Sequence, residues 1–346
     1  MKIIQLVGAR PQFVKLAPIS QLIRQSHKEL IIHSGQHYDY LMNEVFFKQM
    51  GIPEPDYYLN IGSGSHGVQT ARILEALEPV LITEKPDWLL VYGDTNTTLA
   101  GALASSKLGI RTAHVEACLR SFNKAMPEEI NRIVADHLSD LLLVPTPTGM
   151  TNAKSEGLLD KARLVGDVMT DSLRMGLEAA QASGVSSSQA SPYYLLTLHR
   201  PYNVDDPQQL VHILKSLNTL QQTILFPVHP RTSRLLDAQT RAQFEFIRFL
   251  EPLGYLEFLV HMSGAEMVLT DSGGIQKEAY ILKKPCVTLR TETEWLETVE
   301  SGWNLLLPPQ DETFPSAIRT FCPPQEHPSL FGENVSREIL NLLVSS

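Results

Sequence analysis

Apolar residues along this chain gather into short unbroken runs, separated by helix-length stretches of mixed character. Ile3–Val7, Leu30–His33, Trp88–Tyr92, Thr112–Val115 and Leu141–Val144 are rich in β-branched residues or leucine. They lack the polar alternation of a sheet with one face in water. Between them, Thr70–Ile82 and Thr97–Leu108 carry helix-compatible apolar spacing. This rhythm predicts βαβ units, hence a parallel sheet covered by helices on both faces.

After Asp167 a helical stretch to about Ala182 runs into Gly184–Pro192, the most loop-like composition in the chain. The linker is placed there or slightly before. The pattern then restarts with Tyr194–Leu198, Ile224–Val228, Ile247–Leu250, Met267–Thr270 and Pro285–Leu289, spaced by segments such as Pro207–Leu220. The fold class expected is α/β, two Rossmann-like domains facing across a cleft, covering residues 1–168 and 169–346. The helical stretch Glu333–Leu343 is expected to pack back on the amino-terminal domain. Ligands of open parallel sheets bind beyond the carboxyl ends of the strands, so chemistry is sought in the motifs at those ends.

Composition narrows the partners. With 346 residues, 43% hydrophobic and 19% charged, the chain has enough apolar surface for real cores, and a formal charge of −9 argues against a nucleic-acid surface. No apolar run reaches a membrane span, and Met1-Lys2 leads straight into a strand-like segment, so the expected address is the cytoplasm with no membrane partner. Cys118, Cys286 and Cys322 are odd in number and contain no C-x-x-C pair, which suggests reduced thiols rather than disulfides or a zinc site.

The first strand empties into Gly8-Ala9-Arg10-Pro11-Gln12-Phe13-Val14-Lys15, where Arg10 and Lys15 lie near the positive end of a helix. From this segment alone, an anion site and two solvated bases are equal readings. Trp88–Tyr92 ends in Gly93-Asp94, and the next strand in Glu116, so two strands deliver carboxylates to one edge. Asp94 alone reads as a helix cap, whereas an acid directly after an apolar strand, as Glu116 is, is costly unless paired or used. Glu128 and Glu129 follow Pro127 in one first helical turn; the helix dipole accounts for one of them.

In the second half, strands end at His199-Arg200 and at His229-Pro230-Arg231, groups suited to diphosphate oxygens. No second ligand stands at metal spacing beside either histidine. Thr270-Asp271-Ser272-Gly273-Gly274-Ile275-Gln276-Lys277-Glu278 takes a strand through a Ser-Gly-Gly turn into a helix, with backbone N–H groups for a phosphate and Glu278 one turn on for ribose hydroxyls.

Taken in order and at their spacing, Gly8-Ala9-Arg10-Pro11, Gly35-Gln36-His37, Gly93-Asp94-Thr95, His114-Val115-Glu116-Ala117, Pro127-Glu128-Glu129-x-Asn131-Arg132, Pro227-Val228-His229 and Thr270–Gln276 with Glu278 make the chain resemble the non-hydrolysing UDP-N-acetylglucosamine 2-epimerases. The resemblance implies a glycosyltransferase-B-like architecture, a UDP-sugar substrate, no cofactor or metal, a homodimer, and a role in cell-surface polysaccharide precursors. It implies Asp94, Glu116 and Glu128 as catalytic carboxylates and His199 as the essential histidine. It further implies Arg10 and Lys15 in the sugar-diphosphate cleft, His229 and Arg290 as substrate-binding residues, Ser272, Gly273 and Gly274 on the phosphates, and Glu278 on the ribose. The segment Glu251–Phe258 matches the uracil loop, with Leu253 and Phe258 beside the base.

Four departures stand out. Gln12 replaces the family's glutamate, Cys118 its glycine, Pro201-Tyr202-Asn203 its acid-bearing histidine motif, and Trp295 an arginine. They bear on which sugar is accepted and on activation by substrate. A modified UDP-diacetamido-uronic acid stays open as substrate. So do a UDP-sugar glycosyltransferase and a non-catalytic sensor, while a dehydrogenase lacks its G-x-G-x-x-G.

Overall fold

The computed structural model describes residues 1–36, 47–48, 50–186, 191–311 and 313–346, apart from the side chain of Arg10. His37 of the Gly35-Gln36-His37 motif and residues 187–190 of the polar loop lie outside them. The chain forms two compact units: Met1–Met175 with Phe331–Ser346, and Gly176–Leu330.

The first unit holds a seven-stranded, wholly parallel sheet in the order β3-β2-β1-β4-β5-β6-β7. Its strands are β1 (Lys2–Val7), β2 (Lys28–His33), β3 (Tyr57–Tyr58), β4 (Trp88–Tyr92), β5 (Thr112–Val115), β6 (Leu141–Val144) and β7 (Ala162–Leu164). Every residue of β4, β5 and β6 is buried, as a sheet covered on both faces requires. Helices His66–Glu84 and Asn96–Leu108 close one face through Ile4, Leu6, Leu77, Leu81, Leu89 and Val91. The helix Val335–Ser345 belongs to this unit: it packs on helix Arg10–Ser26, and its Leu343 carbonyl accepts from Trp88 Nε1 at 3.1 Å.

The second unit repeats the plan with six parallel strands in the order β10-β9-β8-β11-β12-β13. These are β8 (Tyr194–Thr197), β9 (Ile224–Pro227), β10 (Ile247–Leu250), β11 (Met267–Thr270), β12 (Cys286–Thr288) and β13 (Asn304–Leu306). Leu196, Phe226, Leu269 and Val287 from four strands meet Leu210, Ile213, Leu214 and Leu217 of helix Pro207–Asn218 in one core.

Both strand orders reverse direction once, between β1 and β4 and between β8 and β11. At such a point adjacent loops turn to opposite faces, leaving a crevice at the carboxyl edge where ligands of this fold class bind.

Candidate functional site

In the first unit the residues singled out from sequence gather at the carboxyl edge around its reversal. Gly93, directly after β4, has φ +59°, a conformation that favours glycine, and a Cβ there would lie 3.3 Å from Glu116 Oε2 and 4.0 Å from Lys15 Nζ. The Lys15 ammonium, from helix Arg10–Ser26, pairs with Glu116 Oε2, and both side chains are largely buried, at 10% and 12% exposure. Lys15 therefore stands inside the carboxylate set.

Asp94 is an ion-pair member, not a helix cap: Thr95 caps helix Asn96–Leu108, while Arg132 Nη2 lies 2.6 Å from Asp94 Oδ2. Asn131 Nδ2 donates to the Asp94 carbonyl at 2.8 Å, so helix Pro127–Leu138 fixes this loop at two points. The two neighbouring glutamates separate cleanly. Glu129 is buried and accepts from Ser121 N (2.8 Å), Ser121 Oγ (2.9 Å), Phe122 N (2.9 Å) and Arg132 Nη1 (3.0 Å). Burial alone would raise its carboxyl, but the Ser121, Arg132 and Phe122 donors outweigh that and hold it below the ordinary value. Glu129 is the structural acid. Glu128 is half-buried, with no hydrogen bond or ion pair among the described residues.

Two positions near Glu116 carry backbone strain. Glu116 itself has φ +66° and Cys118 φ +63°, each at a cost of about 1–2 kcal/mol for a non-glycine residue. The Cys118 amide is held by both oxygens of Asp136, at 3.2 and 3.1 Å. Gln12 is fully used: Oε1 accepts from Gly8 N (2.7 Å) and Ala9 N (3.1 Å), and Nε2 donates to the Tyr92 carbonyl at 2.8 Å. An amide fits this place because one end must accept while the other donates. Arg10 opens its helix, in the turn that follows β1.

In the second unit the candidates again stand at the reversal. His199 follows β8, and Asp271 to Gly274 follow β11. Asp271 is fully buried and ties the two strand ends together. It accepts from His199 N (3.0 and 3.1 Å), Arg200 N (3.0 Å) and Asn203 Nδ2 (3.1 Å), with His199 Nδ1 at 2.9 Å. Burial pushes its carboxyl up, yet the bonds from His199, Asn203 and Arg200 prevail and hold it low. An ionised carboxylate only accepts, so His199 carries its Nδ1 proton toward Asp271 and Nε2 is the nitrogen left to work on a ligand. The half-exposed ring fits that use.

Helix Gly273–Ile281 begins directly after Ser272, and open space surrounds the Cβ position of Gly274. At Gly273 a Cβ would meet Glu294 Oε1 at 2.4 Å, because Glu294 reaches across the turn while pairing with Arg290 at 2.9 Å. Arg290, after β12, and its partner therefore border the Ser-Gly-Gly turn. Glu278 lies half-buried on the same helix. His229, exposed after β9, accepts from Arg231 N at 3.2 Å and so caps a short helix. Leu253 and Phe258, both half-buried, follow β10 at the same edge. Lys277 places its ammonium 4.3 Å from the Trp295 ring centroid. No group of three or more His, Cys, Asp or Glu among the described residues could hold a metal ion, and no described helix is long and apolar enough to cross a membrane.

Sequence reasoning passed over Asp136, Arg132 and the fastening role of Asp271. Apart from the Arg132–Glu129 pair, their partners lie 16 to 72 residues away, and no local spacing announces them.

A family model described as UDP-N-acetylglucosamine 2-epimerase matches residues 21–343. The chain belongs to this family. It is 48% identical to a UDP-N-acetylglucosamine 2-epimerase homolog of Methanococcus maripaludis, with 99% of each chain covered. It is 46% identical to the UDP-2,3-diacetamido-2,3-dideoxy-D-glucuronate 2-epimerase of Pseudomonas aeruginosa, with 92% of each covered. Among solved structures, the UDP-GlcNAc 2-epimerase of Methanocaldococcus jannaschii in complex with UDP-GlcNAc and UDP matches at TM-score 0.85 and 40% identity, covering 100% of both chains. The enzyme is thus an epimerase, with two parallel sheets and a glycosyltransferase-B-like fold. The family's glycine position, occupied here by Cys118, coincides with a left-handed backbone that glycine adopts without strain.

Proposed function

We propose that this epimerase interconverts UDP-N-acetylglucosamine and its manno epimer by eliminating UDP and adding it back. The observation that carries the reading is the acid set of the first unit, where Asp94, Glu116 and Glu128 stand at one sheet edge beside the strand-order reversal. No carbonyl acidifies the C2 proton of such a sugar, so direct deprotonation faces a very high barrier. Breaking the C1–O bond to UDP as the C2–H is removed gets round it. The electron pair of the C–H bond becomes the C1–C2 double bond, the proton goes to a carboxylate, and UDP leaves as the anion. A proton then returns to C2 on the other face, and UDP re-adds at C1. Asp94, Glu116 and Glu128 share the base and charge-stabilising roles. Arg10, His199 through Nε2 and the Ser272-Gly273-Gly274 turn hold the diphosphate, Glu278 the ribose, and Leu253 and Phe258 the uracil, while Lys15, beside Glu116, and His229 and Arg290 complete the substrate-binding set.

NMR of UDP-N-acetylglucosamine incubated with the pure enzyme in heavy water tests this. The manno epimer should appear with deuterium at C2, and free UDP with an unsaturated sugar should leak slowly. Epimer without label at C2 would refute elimination, and UDP released only when an acceptor is added would mark a transferase. Trp295, under the Lys277 ammonium, is one of the departures from the family pattern, and with the 46% identity to the diacetamido-glucuronate enzyme it leaves that uronate open as an alternative substrate. Running both UDP-sugars side by side decides between them. The family resemblance also supports a homodimer acting in the cytoplasm on precursors of cell-surface polysaccharide.

A further inference from the structure

Beneath the strand end that carries Glu116 lies a set of buried charges that the proton chemistry does not use. His114 and Asp136 are fully buried. His114 Nε2 lies 2.7 Å from the Gly93 carbonyl, and Nδ1 lies 2.7 Å from Asp136 Oδ1. Asp136 also accepts from Cys118 N on both oxygens and from Arg120 Nη1 at 2.7 Å. Arg120 in turn makes a two-pronged pair with Glu156, at 2.7 Å on each prong. Every contact of Asp136 is with a donor, so His114 gives its Nδ1 proton to it. Charges of opposite sign alternate along Asp136, Arg120 and Glu156. Lys161 Nζ lies close by and donates to the Asp136 carbonyl at 2.8 Å and to the Ser139 carbonyl at 2.7 Å.

The placement along the chain gives this cluster its meaning. Asp136 grips the residue two before Glu116, His114, and the residue two after it, Cys118. His114 continues the chain of bonds to Gly93, whose Cα faces the Glu116 carboxylate. Glu116, between the two gripped residues, and Cys118, one of them, both have positive φ, a backbone that persists only where surrounding bonds hold it.

We propose that Asp136 is a positioning residue for the epimerase: through His114 and Cys118 it fixes where the Glu116 carboxylate meets C2 of the sugar. The inference rests on the role given to Glu116 above. An active-site group displaced by about an ångström can lose on the order of a hundredfold in rate.

The test is Asp136→Asn in the full-length enzyme, which keeps side-chain volume but turns an N–H donor toward His114, Arg120 or the Cys118 amide. With kcat referred to the concentration of UDP-binding protein, we expect a fall of about a hundredfold with the Kd for UDP within twofold of the unsubstituted enzyme. A kcat per folded molecule within threefold of normal overturns the proposal, because a merely structural aspartate would lower stability alone. If the variant does not fold, histidine-15N NMR of the unsubstituted protein at pH 8 decides, with His114→Gln for assignment. A proton on His114 Nδ1, facing Asp136, supports the arrangement, and a bare Nδ1 overturns it. Absence of epimerisation by the unsubstituted enzyme would instead sink the functional reading, and the His114 Nδ1 proton still judges the cluster on its own.

Discussion

Replacing Gly274 by alanine separates the two meanings of a Ser-Gly-Gly turn. An ordinary glycine turn and a phosphate cradle look alike in sequence, but they respond differently to one methyl group. Within the protein a Cβ at this position meets nothing within 4 Å, and φ is not positive. The residue is also the second of helix Gly273–Ile281, where alanine is preferred over glycine by about 0.5 kcal/mol or somewhat more. The protein itself should therefore gain slightly in stability, on the order of 1–2 °C in Tm for a unit of this size. A diphosphate lying on the turn has to accommodate the methyl at about 3.5 Å. Losing one charge-assisted hydrogen bond in doing so costs about 1.5–3 kcal/mol, or roughly tenfold to a hundredfold in Kd for UDP. Differential scanning calorimetry and isothermal titration with UDP read the two effects separately. A variant that is as stable as its parent and binds UDP within twofold would refute the phosphate role of this turn.

Three further outcomes follow from burial and charge. Burial pushes the thiols of Cys118 and Cys286 up to about 12, whereas Cys322 is exposed, so alkylation of the native protein at pH 8 should modify Cys322 alone; labelled Cys118 peptides on mass spectrometry would contradict this. His33 is held down at about 4 by burial; the unfolded chain binds its proton near 6.5, so stability should fall between pH 6.5 and 4 by on the order of 3 kcal/mol. His33→Gln should flatten that slope, and equal slopes in denaturant titrations of both proteins would remove the assignment. Asp271→Asn should cost about 1–3 kcal/mol of stability by turning an amide N–H toward the donors of His199 and Arg200, and should lower kcat more than UDP binding; unchanged kcat would show that the orientation of His199 is irrelevant.

The central strands were legible because burial on both faces leaves nothing but apolar residues in a row. Ile247–Leu250 and Met267–Thr270 have the bounds that their apolar runs predict. The peripheral strands Tyr57–Tyr58, Ala162–Leu164 and Asn304–Leu306 carry no such mark, being two or three residues long and in part exposed. The division at Met175 falls inside the continuous helix Met169–Ala182, and apolar helix spacing does not record where one compact unit ends. At the sites, residue types at strand ends could be read off, because the strand itself is local. Their pairing could not. Lys15 and Glu116 are 101 residues apart, Asp94 and Arg132 are 38 apart, and His199 and Asp271 are 72 apart. Each pair meets only because parallel strands bring distant loops and helices to one edge.

Burial sorts the carboxylates that sequence leaves equivalent. Asp136 and Asp271 are 0% exposed and Glu129 is 1%, whereas Glu116 retains 12% and Asp94 32% side-chain exposure. A buried carboxylate costs several kcal/mol unless donors surround it. Asp136 and Asp271 meet that condition in the same way, each taking the Nδ1 side of a histidine and the backbone N–H of a strand-end loop, at 2.7 and 3.1 Å in one case and 2.9 and 3.0 Å in the other. The donors hold each of the three buried acids below its ordinary carboxyl value despite burial. An acid kept this way is ill suited to accept and return a proton, because protonation would forfeit several hydrogen bonds at once. The proton chemistry proposed above uses instead the more open acids of the first unit, Glu116, Asp94 and Glu128, in whose neighbouring backbone Asp136 and Glu129 are bonded. Within each sheet, acids of the same type thus differ by how many donors reach them, a property of the assembled strand ends and not of any single motif.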